Sequence, residues 1–362
     1  MKLLVFGYGG ESTLAVSNIL SNLSKEIIKE QDVEIVLFGY GDKKDNKKIS
    51  EKLNVISIKD PFRKGSLSRY RFIRKTHAIF KKDSLCLSWK KLYKKSLSIF
   101  KNDHFDCIIG ASGYFMYMEA AYRFARKTNS KFGSLYFDPF TNNVGLVNSK
   151  KRKKIEQRWY DYASFILYES QNRKLEIEDK KKIIHFYSIP IFEHNSVVNK
   201  DGPIVYGGTF YKTLRSPELL IDFLDKDICK DEKFEIYTNS KYFSITNKNV
   251  SVKAPVSGES FQKICLDSKA LIIIGNQNAE SVIPSKVLEA ISFKKPIIGI
   301  CPGSALSILE KYKFFFDSND PSVFGKINTI IQKDANAFSI YSTYPERNPS
   351  ILVKLILNLI KN

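Results

Sequence analysis

The chain has 362 residues, 43% of them hydrophobic and 27% charged, with 26 Phe and 19 Tyr spread along its length. That apolar content excludes a disordered chain, and the length exceeds one ordinary domain, so two domains are expected. With 58 Lys plus Arg against 38 Asp plus Glu the formal charge is +20, which favours anionic partners such as nucleic acid, anionic lipid or phosphorylated small molecules.

The first elements in chain order form a β-α-β unit. Leu3 to Gly7 is an apolar run ending in the turn GYGGES, Thr13 to Leu23 has helical spacing, and Val33 to Phe38 is again strand-like. Val55 to Ile58 follows, then a long basic helical stretch, Cys107 to Ile109, a helix through Tyr117 to Arg126, Lys131 to Phe137, another helical segment, Phe165 to Tyr168 and Ile183 to Tyr187. Fully apolar strands separated by helices predict a parallel sheet covered on both faces.

A second series begins after Ile189-Pro190 and a polar stretch. Its strands are expected at Ile204 to Gly207, Phe234 to Thr238, Val250 to Lys253, Ala270 to Gly275 and Pro296 to Ile300. Helices are expected at Pro217 to Leu224, Gly258 to Leu266, Pro284 to Ser292 and Ala305 to Lys311, and a terminal one at Asn348 to Lys361. The predicted class is therefore α/β: two Rossmann-like domains facing a cleft, residues 1–195 and 196–345, with residues 346–362 as a C-terminal helix that returns to the first domain. Ligands of open α/β sheets bind at the carboxyl ends of strands, so function is sought in the strand-to-helix loops.

Five cysteines, Cys86, Cys107, Cys229, Cys265 and Cys301, form no CxxC pair and lie mostly in apolar runs, the usage of buried reduced thiols in a cytosolic protein. No stretch approaches the roughly 18 to 20 apolar residues of a membrane span. Nor does the N-terminus carry a signal-peptide pattern. Four scattered histidines (His77, His104, His185, His194) propose neither a metal site nor a triad, and Asp225-Lys226-Asp227 follows a helical segment as a polar turn rather than a metal-binding DxD. No metal or cofactor is expected.

In the first loop, Gly7-Tyr8-Gly9-Gly10-Glu11-Ser12, the glycines either allow a tight turn before a helix or let the backbone amides of Gly9 and Gly10 approach a substrate. Ser12 stands where a dinucleotide fingerprint has its third glycine, which argues against NAD. Further along, IPSKVLEAISFKKPIIGI puts Pro284 at the first position of a helix and Ser285 and Lys286 in its first turn. A helix start offers unpaired N–H groups and partial positive charge to a diphosphate, and Glu289 one turn on suits a ribose diol; the alternative is an ordinary surface helix with an exposed glutamate.

These residues resemble the donor-binding element of GT-B glycosyltransferases, in particular the retaining family 4 group: a loop, a helix beginning near P-S-K, a ribose-binding Glu and a following K-P-I-I strand. In that family a Gly-rich turn after the first strand of the second domain precedes a basic residue on the donor diphosphate. The segment Tyr206 to Pro217 is similar to it, which implies Gly208 and Thr209 in the turn, Arg215 as the first phosphate ligand and Lys212 as the second. Fixed cations there stabilise the charge that develops on the leaving diphosphate. Looser likenesses put Ser112 and Gly113, in Asp106 to Gly113, on the acceptor side, together with the D-P turn around Asp138. Asp138 either orients or deprotonates an acceptor hydroxyl or caps the turn before Pro139. The family's paired glutamates seven residues apart are not both present, since Ser281 occupies the first position and Glu280 is displaced by one; the acceptor-side His is also missing.

Thirteen basic residues against Asp83 alone between Pro61 and Lys101 supply +12 of the +20. Leu85, Trp89, Leu92, Tyr93, Leu97 and Phe100 recur at helical spacing, so Lys90, Lys91, Lys94 and Lys95 fall on the opposite face. A basic amphipathic helix with Trp89 as anchor suits an anionic bilayer surface, although such a stripe equally packs on a sheet. No RNP strand, zinc knuckle or helix-turn-helix is present, so nucleic acid is not expected as a partner.

The resemblance implies a metal-independent, retaining glycosyltransferase that moves a sugar from a nucleotide-diphosphate donor to a saccharide acceptor, lipid-linked, in cell-surface polysaccharide assembly. It would work in the cytoplasm, peripheral on the inner face of the cell membrane. The alternatives are a sugar-nucleotide epimerase of the same fold and a non-catalytic GT-B-like membrane-associated binding protein.

Overall fold

The computed structural model describes residues 1–7, 15–30, 32–41, 44–59, 89–112, 115–137, 140, 150–169, 184–195, 197, 199–210, 216–239, 245, 247–275, 285–330, 335 and 337–362. The chain forms two units, Met1–Ser188 with Pro349–Asn362, and Ile189–Asn348. The two breaks fall at the apolar Ile189-Pro190 step and just before the terminal helix.

The first unit contains β1 (Lys2–Phe6), α1 (Ala15–Glu30), β2 (Glu34–Gly41), β3 (Asp45–Ser50), β4 (Leu53–Lys59), α2 (Trp89–Ile99), β5 (Cys107–Ala111), α3 (Phe115–Thr128), β6 (Lys131–Tyr136), α4 (Lys150–Tyr162), β7 (Phe165–Glu169) and β8 (Ile184–Tyr187). Its sheet runs β3-β4-β2-β1-β5-β6-β7-β8. All neighbours are parallel except the edge pair β3 and β4. β1, β5, β6 and β7 are buried almost throughout because helices cover both faces. Strand order reverses between β1 and β5, and there Gly7 closes the approach: a Cβ on it would stand 2.8 Å from Leu20 Cδ1 and 2.9 Å from Ala111 Cβ.

A chain of rings forms the interior of this unit, with Phe6, Phe38, Phe100 and Phe105 in edge-to-face pairs 5.3–5.4 Å apart. α2 presses Leu92 into that core, with Trp89, Tyr93 and Leu97 packed against it. Its apolar face is thus covered by its own domain, while Lys90, Lys91, Lys94 and Lys95 are exposed. Of the expected basic helical stretch only this last part falls among the described residues. The terminal helix α11 (Pro349–Lys361) returns to this unit, where the Ile360 carbonyl accepts from Lys131 Nζ at 2.9 Å.

The second unit carries β9 (Ile204–Gly207), α5 (Glu218–Leu224), β10 (Phe234–Tyr237), β11 (Val250–Lys253), α6 (Gly258–Asp267), β12 (Ala270–Ile274), α7 (Ser285–Ser292), β13 (Ile297–Ile300), α8 (Leu306–Leu309), β14 (Phe315–Asp317), α9 (Val323–Thr329) and α10 (Ile340–Thr343). The order β11-β10-β9-β12-β13-β14, parallel throughout, is the doubly wound arrangement with its reversal between β9 and β12. α6 begins at Ser257, whose side chain accepts from the Ser260 amide at 3.2 Å.

Lys295 is fully buried in this unit, and its ammonium donates to the carbonyls of Val197, Leu266 and Ser268 at 2.5–2.7 Å. One cation thereby satisfies the end of α6 and ties the incoming chain to the sheet, although burial pulls its pKa down to about 8. Free thiols at Cys107, Cys229 and Cys265 are buried as expected, whereas Cys301 is exposed with φ 43°, because it sits at the turn leaving β13. Replacing Lys295 by Met takes the donor away from three carbonyls, that of the buried Ser268 among them; urea denaturation of Lys295→Met should show a loss of about 3 kcal/mol, and no loss would dissolve the tethering role.

Candidate functional site

The reversal between β9 and β12 opens the carboxyl edge of the second sheet, and glycines bring backbone together there. A Cβ on Gly207 would enter the Phe261 ring at 2.1 Å, and one on Gly275 would lie 2.2 Å from the Pro302 carbonyl oxygen. Beyond β9 the Gly208 amide donates to the Tyr237 carbonyl at 3.0 Å, so the turn leaves the sheet from a fixed point. Phe210 then stacks on Tyr206 with ring centroids 5.2 Å apart.

α7 comes to the same place. Lys286, in its first turn, donates from Nζ to the Gly207 carbonyl, spanning the β9 turn and the helix start. A Cβ on Gly208 would lie 2.7 Å from Tyr206 Oη and 3.0 Å from Lys286 Nζ, so this ammonium stands directly over the glycine turn. Besides the Lys286 amide at the helix start, the Lys286 side chain joins the two elements. Ser285 and Thr209 are both partly exposed beside them.

Glu289 lies one turn along α7, partly buried, and burial raises its carboxyl pKa above the ordinary value while Lys286 opposes the rise. Burial likewise raises the Cys265 thiol, with Glu289 adding to that rise. This is not the exposed glutamate of an ordinary surface helix. A carboxylate held partly out of water costs stability unless a ligand pairs it, and a ribose diol offers two donors to one carboxylate.

Gly9, Gly10, Gly113, Asp138, Lys212, Arg215, Glu280 and Ser281 lie outside the described residues. On the first unit Ser112 is fully buried, and its Oγ accepts from the Phe137 amide at 2.8 Å, so its hydroxyl braces the end of β6. That hydrogen bond gives Ser112 a structural duty beside the acceptor-side place the resemblance implies. Among the described residues no group of three or more His, Cys, Asp and Glu could hold a metal ion, and no helix is long and apolar enough to cross a membrane.

No known family matches the sequence, and no curated protein does. Solved structures do match its fold. An α-glucosyltransferase in complex with UDP and a 13-mer DNA containing a HMU base is 12% identical, with TM-score 0.59, over 100% of this chain and 99% of that one. The apo lipopolysaccharide outer core galactosyltransferase WaaB is 16% identical over 99% of both chains, TM-score 0.52. A structure described as trehalose-6-phosphate from E. coli bound with UDP-2-fluoro glucose is 11% identical over 100% of this chain and 99% of that one, TM-score 0.53. The two separate Rossmann-like sheets are those of the GT-B glycosyltransferase fold.

Two outcomes test this geometry. Glu289→Gln removes a desolvated charge, so at pH 7 its thermal midpoint should equal or exceed that of the parent; a clear drop would mean the carboxylate is held by structural bonds. Because the raised pKa means the folded state binds this proton more tightly, the stability deficit belongs to higher pH and disappears as pH falls through the raised value. The Gln variant should therefore match the parent in mild acid.

Proposed function

We propose that the protein is a glycosyltransferase that moves a sugar from a nucleotide-diphosphate donor to a hydroxyl of a saccharide acceptor. The observation that carries this reading is the meeting of the Gly207-Gly208 turn, the Lys286 ammonium and the partly buried Glu289 at the reversal point of the second sheet. A nucleoside diphosphate needs that combination: cations and amides for the phosphates, glycine for close approach, a carboxylate for the ribose. Likeness in fold to proteins described with UDP or a UDP-sugar supports it.

In this reading Gly208 and Thr209 cradle the diphosphate, the Ser285 and Lys286 amides face it, and Glu289 takes the ribose. Arg215 and Lys212 bind the leaving group's oxygens, and their charge lets the bond break without a metal. Glu280 and Ser281 precede α7 on the donor side, and the likeness to family 4 favours retention. Asp138 would serve the acceptor hydroxyl, with Gly9, Gly10, Ser112 and Gly113 around it. Assembly of cell-surface polysaccharide on a lipid carrier at the inner membrane face fits the exposed lysine face of α2, which would rest on anionic lipid through charge alone, since Trp89 is committed to the core.

Calorimetry with UDP and other nucleoside diphosphates is the test. Binding should weaken by at least about tenfold in Arg215→Ala and in Glu289→Ala, about 1.4 kcal/mol each. No binding to any nucleotide, or unchanged binding in both variants, would favour a catalytically idle binding protein. Conversion of the nucleotide-sugar without acceptor to its epimer would instead identify the epimerase of the same fold. For the lysine face, flotation with anionic vesicles should be lost when Lys90, Lys91, Lys94 and Lys95 are all Gln; undiminished flotation would remove the membrane from the reading.

A further inference from the structure

The first unit holds a second concentration of cations, away from its strand-to-helix loops. α3 starts at the carboxyl end of β5 and runs back toward the amino end of β6, and its last turns, with α2 and α4, border an open cavity of about 260 Å³ lined by Tyr93, Tyr122, Arg123, Arg126, Lys127 and Arg158. That lining has four cations and no carboxylate. One acid balances it from beneath: Glu119, 3% exposed, accepts from Arg123 Nε at 2.7 Å and from Trp159 Nε1 at 2.6 Å, with an Arg158 terminal nitrogen 3.9 Å away.

Arg123 is held in place without being used up, while Arg126 and Arg158 are exposed at the rim. Arg123 lies over the Trp89 ring at 4.4 Å and bonds Glu119 through Nε, so its two terminal amino groups make no hydrogen bond to a described residue. Arg126 is steered by Tyr122, whose hydroxyl accepts from it at 3.1 Å. Lys127 has no ion-pair or hydrogen-bond partner among the described residues. The C-terminus of α3 offsets part of the repulsion between them, yet one carboxylate among four cations leaves a net excess that a compact multivalent anion would neutralise. Planar guanidinium groups match the paired oxygens of a phosphate, and phenols supply further donors.

We propose that this cavity is a binding site for a phosphomonoester or diphosphate group, separate from the nucleotide site of the second unit. Arg126 and Arg158 grip the phosphate, and Arg123, positioned by Glu119 and Trp89, closes the site from below.

The chain has two tryptophans, Trp89 and Trp159, and both touch the Glu119–Arg123 pair, so intrinsic emission reads this cavity. Full-length protein at low ionic strength is titrated with pyrophosphate, with sulfate at matched ionic strength as the charge control, in the presence and absence of saturating UDP. A saturable emission change with pyrophosphate that exceeds the sulfate response, persists with UDP and weakens by about tenfold or more in Arg126→Gln/Arg158→Gln is expected. That variant keeps both tryptophans, and its retained UDP binding by calorimetry shows it is folded. Vesicles of phosphatidylcholine carrying phosphatidic acid, against vesicles carrying phosphatidylserine, separate the sources. A response confined to phosphatidic acid that the variant loses assigns a lipid phosphomonoester, and a pyrophosphate response with no preference between vesicles assigns a soluble phosphate. No saturable response to either, an equal response to sulfate, loss of the response with UDP, or equal affinity in the double variant overturns the proposal.

Discussion

A parallel strand buried on both faces has only its ends left for chemistry, and this constraint governs the whole chain. β1, β5, β9 and β12 are wrapped by helices, so their side chains are spent on packing, and polar work is confined to the turns where the strands stop. The winding direction reverses between β1 and β5 and again between β9 and β12, so adjacent helices leave in opposite directions and a crevice opens. Glycine is needed near those points because neighbouring atoms come too near for a side chain, as Gly7 against Leu20 and Ala111, and Gly275 against the Pro302 backbone, illustrate.

Charge is distributed over the two units in different ways. In the second, the buried Lys295 and the partly buried Lys286 have definite backbone acceptors: Lys295 closes the end of α6 and Lys286 joins α7 to the β9 turn. These ammonium groups replace water at backbone carbonyls, so they hold elements in register more than they set a field. In the first unit the cations are more numerous and more exposed, and they share few acids. The exposed lysines of α2 and the arginines of α3 and α4 therefore leave an excess of positive charge on the surface of this unit.

Much of the architecture was legible because most strands are apolar or alternating runs bounded by turn residues. Ile204–Gly207 and Val250–Lys253 fall at the very residues the pattern implied. β3 was not legible: DNKKIS has one apolar residue, and it exists as a strand only because β4 offers an edge for antiparallel pairing. β14, three residues long, and α9 escaped for the related reason that short elements carry too little periodicity. At the candidate site, Pro-Ser-Lys marked a helix start and placed Glu289 one turn along it, but the Lys286 contact joins positions 79 apart and has no local signal. The arginine cavity was equally hidden, since its residues come from three helices whose separate patterns read as ordinary amphipathic faces.

The amino-acid order by itself determined the alternation of strand and helix and the two-domain plan, because hydrophobic periodicity and turn chemistry are local properties of the chain. Tertiary structure alone decided which loops become neighbours, that the apolar face of α2 is turned inward rather than offered to lipid, and that Glu289 is drawn partly out of water. Those outcomes depend on strand order and on burial among residues distant in sequence, and neither is encoded in any single segment.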